Sequence, residues 1–302
     1  MGQRLSFESA ALAILVCFNA GLGLAANVEI IAHRGASGYL PENTLPGYAL
    51  AYGLGAHWIE LDVVLTKDRI PIALHDLTLE RTTNVADVFP GRQRDDGKFH
   101  AADFTLTEIK QLDIVERFEK RYPTKFATFR VPSLREVVEL VVGLNKSTGC
   151  RVGIYPELKD PSRQPGLAQL ILEVLDGFDL PKLIQSFDAT ALESLDTNIP
   201  RVQLLGRAPT TERLDHIATY AAAIGPAKSL IYTNPDLVTL ANDRGLAVHA
   251  YTLRADWLGE GFSSFDEEVQ TLVQLGVDGF FTDHPDQAAL ALGAERLCRY
   301  GR

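Results

Sequence analysis

Five residues that could do chemistry fall at the ends of short apolar runs along the chain. They are two histidines and three carboxylates: His33, Glu60, Asp62, His75 and Glu157. The reactive groups of an α/β barrel gather at the carboxyl ends of different strands, so these runs, taken as strands, would bring the five side chains together. A hard-cation site beside two proton-transfer groups is typical of metal-assisted cleavage of a phosphodiester.

The Glu60-Leu61-Asp62 sequence is the basis for predicting a metal site. Residues i and i+2 of a strand point to the same face, so both carboxylates point one way and Leu61 points the other. Two carboxylates this close repel each other unless a cation or protons intervene, and an all-oxygen ligand set suits Ca²⁺ or Mg²⁺ better than zinc. A solvated strand end explains most isolated pairs of this kind. Glu157, as a third ligand at an equivalent strand end, favours the metal.

His33 and His75 are the predicted proton-transfer residues. Imidazole titrates near neutral pH, so one ring can accept a proton while the other donates one. Lone histidines at strand ends are more often structural, and the neighbouring carboxylates shift the interpretation towards catalysis. Arg34 follows His33 directly and has a guanidinium group that suits a phosphate, and Lys159 offers a second cation on the same side. Both cations could instead be ordinary surface ion-pair partners.

The remaining histidines give weaker signals. His57, His100 and His216 lack reactive neighbours in the sequence and are expected to be structural or exposed. His249 lies within a predicted strand and is expected to be packed, and His284 either lines the pocket or belongs to a turn. The sequence contains no glycine-rich nucleotide loop, no Gly-x-Ser-x-Gly motif and no Cys-x-x-Cys pair. Their absence disfavours dinucleotide binding, serine-hydrolase chemistry and a zinc site.

Strand-like and helix-like segments alternate along the chain, which favours a parallel sheet with crossover helices. The predicted strands are short and apolar or β-branched, as expected for strands that are buried on both faces. They cover residues 28–33, 57–64, 70–75, 151–157, 182–187, 201–205, 246–251 and 279–282. The predicted helices cover residues 45–54, 106–112, 133–144, 166–175, 189–195, 234–243 and 266–275.

Eight strands separated by helices predict an α/β fold of the TIM (β/α)8 barrel type, with a doubly wound sheet as the alternative. A long insertion of about residues 76–132 follows the third predicted strand and has little apolar periodicity. Insertions of this kind usually cover or wall the active face. Ser133 followed by Glu136 fits a capping box at the start of the next helix, and Thr105 is a candidate cap within the insertion.

The first 26 residues differ from the rest of the chain and resemble a secretory signal peptide. Arg4 gives a weakly basic start, residues 10–18 are apolar, and residues 21–26 are small and apolar. An uncleaved anchor helix is the alternative, but Asn19 interrupts a run that is shorter than the ~20 apolar residues of a membrane span. We therefore expect one mature domain of residues 27–302, which is periplasmic or secreted.

Charge and cysteine content limit the partners. The chain has 302 residues, a hydrophobic content of 46% and a net charge of −10, which the mature domain keeps because Arg4 and Glu8 cancel. This charge disfavours nucleic acid as a partner, whereas anionic small molecules stay compatible because a bound cation can reverse the local field.

Cys150 and Cys298 are left after removal of the signal peptide, and they could pair in an oxidising compartment.

Five short motifs occur in the order found in glycerophosphodiester phosphodiesterases, and from residue 28 to its end the chain resembles this family. The motifs are His33-Arg34-Gly35-Ala36, Pro41-Glu42-Asn43-Thr44, Glu60-Leu61-Asp62, His75-Asp76 and Glu157-Leu158-Lys159. The run from Gly276 to Pro285 closes the resemblance. The leader and the long insertion look like the periplasmic, calcium-dependent branch of the family.

The resemblance implies a TIM barrel that hydrolyses glycerophosphodiesters to sn-glycerol 3-phosphate and an alcohol, with Ca²⁺, or alternatively Mg²⁺, as cofactor. By position in the motifs, the catalytic pair is His33 and His75. The matching metal ligands are Glu60, Asp62 and Glu157, and the matching substrate-binding residues are Arg34, Asn43 and Lys159. The implied partner is a small-molecule glycerophosphodiester, without nucleic acid and without stable membrane insertion.

The sequence leaves the order of proton transfers open. His33 would be the general base and His75 the general acid, or these roles are exchanged. The attacking group is either water or the 2-hydroxyl of the substrate's glycerol, the latter through a cyclic phosphate. Alternative functions are a lysophospholipase D-like activity and a non-catalytic secreted binding protein. Phe187, Tyr251 and Trp257 could shape the pocket.

Overall fold

The structure is a computed structural model that describes residues 28–118, 120–122 and 127–293. One sheet runs through these ranges. Its strands, in chain order, are β1 (Glu29–Ala32), β2 (Trp58–Leu65), β3 (Pro71–Ala73), β4 (Gly153–Leu158), β5 (Ile184–Ser186), β6 (Arg201–Leu205), β7 (Ala223–Pro226), β8 (Ala247–Leu253) and β9 (Gly279–Thr282).

The sheet closes on itself, because β1 pairs with β9 on one side and with β2 on the other. Within the described residues, eight parallel strands follow one another around this ring in the order β1-β2-β4-β5-β6-β7-β8-β9. A doubly wound sheet has two open edges, so closure excludes that alternative. The predicted TIM barrel is confirmed.

Two details of the strand prediction are wrong. The segment predicted at 70–75 is β3, which pairs antiparallel with β2 and lies outside the ring. Only residues 66–70 join β2 to β3, whereas a crossover to a parallel strand needs a dozen residues or more. The remaining barrel strand is β7, which the sequence analysis missed because Ala223-Ile224-Gly225-Pro226 contains one β-branched residue beside a glycine and a proline.

Helices surround the ring and lie between the strands. Those found in the described residues are α1 (Leu45–Gly53), α2 (Val85–Val88), α3 (Leu106–Ile109), α4 (Leu134–Thr148), α5 (Leu167–Asp176), α6 (Ala189–Glu193), α7 (Thr211–Ile217), α8 (Lys228–Thr233), α9 (Asp236–Asn242), α10 (Phe265–Gln274) and α11 (Pro285–Ala291). The predicted capping box at Ser133 and Glu136 is present at the start of α4, and Thr105 caps α3 in the same way.

Apolar side chains fill the space between the ring and its helices. One cluster packs α1, α4 and α5 against β2 and β4, and a second packs α9, α10 and α11 against β1, β8 and β9. Inside the ring, the packed side chains are Ile31, Tyr155, Val202, Ala223 and Phe281. The barrel interior is therefore a core rather than a channel.

The segment between β3 and α4 contains α2 and α3 and packs an apolar core of its own around Phe104 and Ile109. Its side chains also contact loops at the carboxyl ends of barrel strands. Arg117 contacts Glu42 in the loop after β1, and Arg121 contacts Asp256 in the loop after β8. The segment thus borders the face of the barrel where reactive groups gather. It follows the second barrel strand and β3, rather than a third barrel strand.

The predicted signal peptide, residues 1–26, lies outside the described residues, and so does Cys298. Cys150 takes part in a disulfide bond. In the described part of the chain, we find no helix with the length and apolar character needed to cross a membrane.

Candidate active site

The three predicted metal ligands lie on two neighbouring strands. Glu60 and Asp62 belong to β2, and the parallel register pairs Asp62 with Glu157 of β4. One carboxylate oxygen from each of the three residues lies within 4.8 Å of the other two. All three are buried, and Leu61 packs on the opposite side of β2 in the core under the helices. The strand alternation therefore gathers the carboxylates as expected, although they lie within the strands and not after their ends.

A turn after β1 brings a backbone donor to Glu60. Arg34 and Gly35 have φ angles of 59° and 85°, in the left-handed region that favours glycine. A Cβ on Gly35 would lie 2.8 Å from the carbonyl carbon of Gly47, so this close approach also requires glycine. In this turn, the Arg34 backbone N–H donates to Glu60 Oε2 at 2.8 Å, and Gln185 Nε2 donates to Oε1 at 3.0 Å. Both oxygens of Glu60 are thus oriented.

Asn43, a predicted substrate-binding residue, is engaged with the carboxylates. Its Nδ2 donates to Asp62 Oδ2 at 3.1 Å, and its Oδ1 accepts from the hydroxyl of Tyr48 at 2.7 Å. Asn43 is buried and is absent from the described residues that line the cavity. The structure therefore gives it the task of orienting Asp62, and its contact with a substrate stays a prediction.

Close packing of three buried carboxylates disturbs their ionisation. Burial and the charge of Asp62 hold the pKa of Glu60 well above its ordinary value, and burial raises the pKa of Glu157 to about 7. Burial acts in the same direction on Asp62, but nearby positive charges, Arg34 above all, outweigh it and hold the pKa of Asp62 well below its ordinary value. The three carboxylates can be ionised together only if positive charge compensates them, and Arg34 and Lys159 supply part of it.

The donor set fits a divalent cation that prefers oxygen ligands. All three side chains of the cluster are carboxylates at mutual distances suited to one ion. Asp62 Oδ1 is buried and has no hydrogen-bond partner among the described residues, although the ammonium of Lys159 lies 3.5 Å away. A cation in direct contact with this oxygen would add to the compensation that Lys159 gives. Oxygen ligands of this kind are compatible with both Ca²⁺ and Mg²⁺.

His33 follows β1 directly and contacts a carboxylate that follows β9. Its Nδ1 lies 2.7 Å from Asp283 Oδ1. When Nδ1–H donates to Asp283, the lone pair is on Nε2, the ring nitrogen left for proton transfer. Burial and the charge of Arg34 lower the pKa of His33 to about 4, against the opposing effect of Asp283. The ring is therefore neutral near pH 7, as a general base requires.

His75 reaches the site from β3 rather than from a barrel strand. Because β3 runs back along β2, the Leu74 backbone N–H donates to the carbonyl oxygen of Asp62 at 3.0 Å. The next residue, His75, therefore lies beside the carboxylates. Its Nδ1 is 2.5 Å from Asp76 Oδ1 and 2.8 Å from Arg81 Nη2. Nδ1 cannot donate to Asp76 and accept from Arg81 at the same time. When Nδ1–H donates to Asp76, Nε2 is the ring nitrogen left for proton transfer.

The two predicted phosphate-binding cations are buried in the site. Arg34 Nη1 donates to both oxygens of Glu42 at 3.1 and 3.0 Å, and its Nε lies 3.0 Å from Asp62 Oδ2. Lys159 Nζ lies 2.8 Å from Glu157 Oε1 and 3.5 Å from Asp62 Oδ1. Exposed fractions of 9% and 16% for the two side chains exclude the alternative that they are ordinary surface ion-pair partners.

One cavity of about 410 Å³ connects these groups. This volume lies within the range of sites for small molecules. Six of the eight predicted site residues line it, namely His33, Arg34, Glu60, His75, Glu157 and Lys159. Phe187 and Tyr251 contribute aromatic faces, and Lys228 and Arg254 contribute positive charge.

Comparison with known proteins assigns the chain to a family. The model of the glycerophosphoryl diester phosphodiesterase family matches residues 33–287. The chain belongs to this family. It is 33% identical to a glycerophosphodiester phosphodiesterase of Haemophilus influenzae, over 85% of this chain and 87% of that protein. It is also 33% identical to a glycerophosphodiester phosphodiesterase of Bacillus subtilis, over 85% of this chain and 83% of that protein.

A solved structure gives the same result for the fold. An Oleispira antarctica phosphodiesterase, solved in complex with the product sn-glycerol-3-phosphate, superposes with a TM-score of 0.70 and 28% sequence identity. The match covers 88% of this chain and 97% of that protein. The resemblance drawn from the short motifs is confirmed, and the protein is an enzyme of the glycerophosphoryl diester phosphodiesterase family.

Three polar residues of the site in this protein were not predicted from the sequence. Asp283 follows the last strand and holds His33, Gln185 follows Ile184 on β5 and orients Glu60, and Arg254 lines the cavity. A carboxylate directly after the last barrel strand was a readable signal, because a closed barrel places that strand beside the first one. The neighbouring His284 was the residue singled out from the sequence. His284 Nδ1 accepts the Ala255 backbone N–H at 3.3 Å, which agrees with the turn alternative.

The other predictions, for aromatic residues and for histidines, have different outcomes. Phe187 and Tyr251 line the cavity, whereas the side chain of Trp257 is 70% exposed and is not part of the described lining. His249 packs inside the barrel, where its Nδ1 lies 3.0 Å from the hydroxyl of Tyr155, as expected for a structural histidine. The structural histidines His57 and His100 also have their partners outside the site.

Proposed function

We propose that the protein hydrolyses glycerophosphodiesters to sn-glycerol 3-phosphate and an alcohol, with a divalent cation and two histidines. The observation that carries this proposal is the shared cavity, onto which His33, His75 and the carboxylates Glu60 and Glu157 all open. Relatives named glycerophosphodiester phosphodiesterase and a structural neighbour solved with sn-glycerol-3-phosphate support the substrate class.

Glu60, Asp62 and Glu157 would hold the cation, for which Ca²⁺ is our first choice and Mg²⁺ the alternative. A divalent cation held by these carboxylates supplies Lewis-acid stabilisation of the charge on a phosphoryl oxygen. Gln185 and the Arg34 backbone N–H keep Glu60 oriented, and Asn43 does the same for Asp62. Fixed ligands of this kind are what a cation site needs to keep its geometry during turnover.

Proton transfer would use the two Nε2 atoms. Nε2 of the neutral His33 accepts the proton of the attacking hydroxyl, which belongs either to water or to the 2-hydroxyl of the substrate's glycerol. In the second case a cyclic phosphate forms, and water then opens it at the 2-oxygen to give sn-glycerol 3-phosphate. Nε2–H of a protonated His75 donates to the oxygen of the leaving alcohol as the phosphorus–oxygen bond breaks. The contacts of His33 with Asp283 and of His75 with Asp76 each occupy Nδ1 and turn Nε2 away from these carboxylates.

Arg34 and Lys159 would bind the anionic phosphate. Both line the cavity and are charged, since the neighbouring carboxylates raise the pKa of each above its ordinary value despite burial. Arg34 Nη2 has no hydrogen-bond partner among the described residues, and a guanidinium nitrogen suits a phosphoryl oxygen. Positive groups fixed in advance stabilise charge that increases in the transition state.

The test is release of sn-glycerol 3-phosphate from glycerophosphocholine by the purified mature chain, after chelation and after return of Ca²⁺ or Mg²⁺. We expect release only when a divalent cation is present. A lysophospholipid assayed in parallel separates this activity from a lysophospholipase D-like one. No release with any cation from a folded protein would reject the proposed reaction.

We also propose that the mature domain is periplasmic or secreted. The leader pattern of residues 1–26 and the disulfide at Cys150 support this, because disulfides persist mainly in oxidising compartments. Expression of the full chain, cell fractionation and N-terminal sequencing of the product test it. We expect a protein that begins near residue 27 in the exported fraction, and an intact leader in the cytoplasmic fraction would reject the proposal.

A further inference from the structure

The Arg121 side chain comes from the segment between β3 and α4, yet it is buried against the barrel with 6% of its surface exposed. Its Nη2 donates to Asp283 Oδ2 at 2.8 Å, and its Nη1 donates to the carbonyl oxygen of Ser37 at 2.8 Å. Its Nε and Nη2 also donate to the two oxygens of Asp256, at 3.0 and 3.1 Å. Arg121 therefore ties together the loops that follow β1, β8 and β9.

Two of these contacts lead directly to His33. Asp283 uses Oδ1 for Nδ1 of His33, and its Oδ2 accepts from both Arg121 and Arg254 at 2.8 Å. Ser37, whose carbonyl oxygen accepts from Arg121, donates its hydroxyl to the carbonyl oxygen of His33 at 2.8 Å. The side chain and the backbone of His33 are thus each linked to Arg121 through one intermediate residue.

Arg121 and Arg254 hold the same oxygen of Asp283 in different ways. Arg254 donates to Asp283 through Nε, and it lines the cavity itself. Arg121 is absent from the described lining of the cavity, and its remaining nitrogens are fixed by Asp256 and Ser37. A planar guanidinium held at three places restricts the carboxylate more than a single hydrogen bond does. Arg121 is therefore the contact that locks Asp283 relative to the neighbouring loops.

We propose that Arg121 is a positioning residue for His33: it fixes Asp283 so that Nε2 of His33 faces the reacting atoms. This inference rests on the proposed function, because it takes His33 as the general base. Carboxylates that orient a functional histidine contribute substantially although they do not touch the substrate. The orientation of the base would then depend on a segment that lies outside the eight-stranded ring.

The experiment is a double-mutant cycle with Arg121→Gln, Asp283→Asn and the combination, assayed with glycerophosphocholine at saturating cation. We expect Arg121→Gln to lower kcat by about 10-fold or more, the range typical for residues that orient a functional histidine, with KM little changed. Because Arg121 acts through Asp283, it should have much less effect in the Asp283→Asn background. Arg130→Gln is the matched control, since Arg130 belongs to the same segment but pairs with Asp113 at the surface.

Thermal unfolding shows whether each variant is folded, so that a lower kcat is not the result of misfolding. If Arg121→Gln does not fold, Asp256→Asn provides the second variant, because Asp256 is 44% exposed and anchors Arg121 from the solvent side. We expect it to lower kcat without a change in KM, but by less than the about 10-fold effect of a lost positioning residue, because Arg121 keeps its contact with Asp283.

Wild-type kcat in folded Arg121→Gln, or an equal effect of Arg121→Gln in both backgrounds, would overturn the inference. If Arg121→Gln cannot be obtained folded, wild-type kcat in Asp256→Asn would overturn it. His33→Ala separates this failure from failure of the proposed function. Full activity in His33→Ala removes the base assignment itself, whereas an inactive His33→Ala beside a fully active Arg121→Gln rejects only the role of Arg121.

Discussion

His33 Nδ1 lies 2.7 Å from Asp283 Oδ1, although 250 residues separate the two in the chain. The pairing of β1 with β9 closes the barrel and also brings these residues together. When Nδ1–H donates to Asp283, Nε2 is the nitrogen left for the proposed proton transfer. Burial and the charges of Arg34 and Arg254 keep His33 neutral against the opposing effect of Asp283, and the pH dependence of the reaction should reflect this.

On the acid side of the pH profile, kcat/KM should fall only at a pH well below the pKa of an ordinary histidine. Burial and the charges of Arg34 and Arg254 lower the pKa of His33 to about 4, while Asp283 acts in the opposite direction. A general base must be unprotonated, so kcat/KM should fall only as the pH drops towards this pKa. The profile is measured at saturating cation, so that Glu157 is ionised throughout. A fall centred near the ordinary histidine value of about 6.5 would contradict the assignment.

Replacement of either proposed catalytic histidine should remove turnover without preventing cation binding. For His33→Ala and for His75→Ala, we expect kcat to fall by roughly 10²–10⁴-fold, the usual contribution of acid–base catalysis. Neither histidine belongs to the carboxylate cluster, so calorimetry should show nearly wild-type cation binding. His216→Ala is the control, since His216 is exposed and pairs with Glu193 away from the cavity. Wild-type turnover in both active-site variants would refute the two roles.

Glu157→Gln should weaken cation binding while it preserves the fold. The substitution keeps the volume and an oxygen that can accept from Lys159, but it removes one negative ligand charge. In the wild type, a cation at 100 times its Kd should stabilise the fold by about 2.7 kcal/mol, visible as a rise in Tm. In Glu157→Gln, the same rise should need at least about 10-fold more cation.

The matched control for this titration is Glu139→Gln, because Glu139 is an exposed carboxylate on α4. It should show the wild-type dependence of Tm on cation concentration. Identical titrations for wild type and Glu157→Gln would place the cation elsewhere.

Ser133→Ala should lower stability without affecting catalysis. The Ser133 hydroxyl accepts from the Glu136 backbone N–H and forms a capping box at the start of α4, which packs on β2 and β4. Loss of such a cap costs about 1 kcal/mol of the free energy of unfolding. Urea titration measures this change, with Ser147→Ala near the far end of α4 as the control. A decrease in kcat of folded Ser133→Ala would show that the cap also affects the site.

The shared face of Glu60 and Asp62 could be predicted from the sequence because strand alternation is a local rule. Glu60 and Asp62 had to share a face once 57–64 was taken as a strand, and that requires no knowledge of the other strands. His33 was placed correctly for the same reason, since it follows an apolar run that ends at Ala32. The family resemblance, which rests on the order of the motifs, added the expected roles of these residues.

Asp283 and Arg121 could not be assigned in this way, because their roles depend on contacts made after the ring closes. Asp283 lies beside His33 only through the β1–β9 pairing, and Arg121 reaches Asp283 across 162 residues of sequence. The strand at 70–75 was misjudged because its composition resembles that of a buried parallel strand. Its connection to β2 is too short for a crossover to a parallel strand, and this length alone indicates an antiparallel strand.

β3 occupies only the part of the β2 edge that β1 leaves free, since β1 pairs with Trp58 and Ile59 and β3 pairs with Val63 to Leu65. The ring would close whether or not this strand were present. The stretch that carries His75 is therefore an addition to the ring, whereas the three clustered carboxylates belong to ring strands and His33 directly follows one. In the proposed mechanism, the proton donor would thus depend on an accessory strand, and the base would depend on the ring itself.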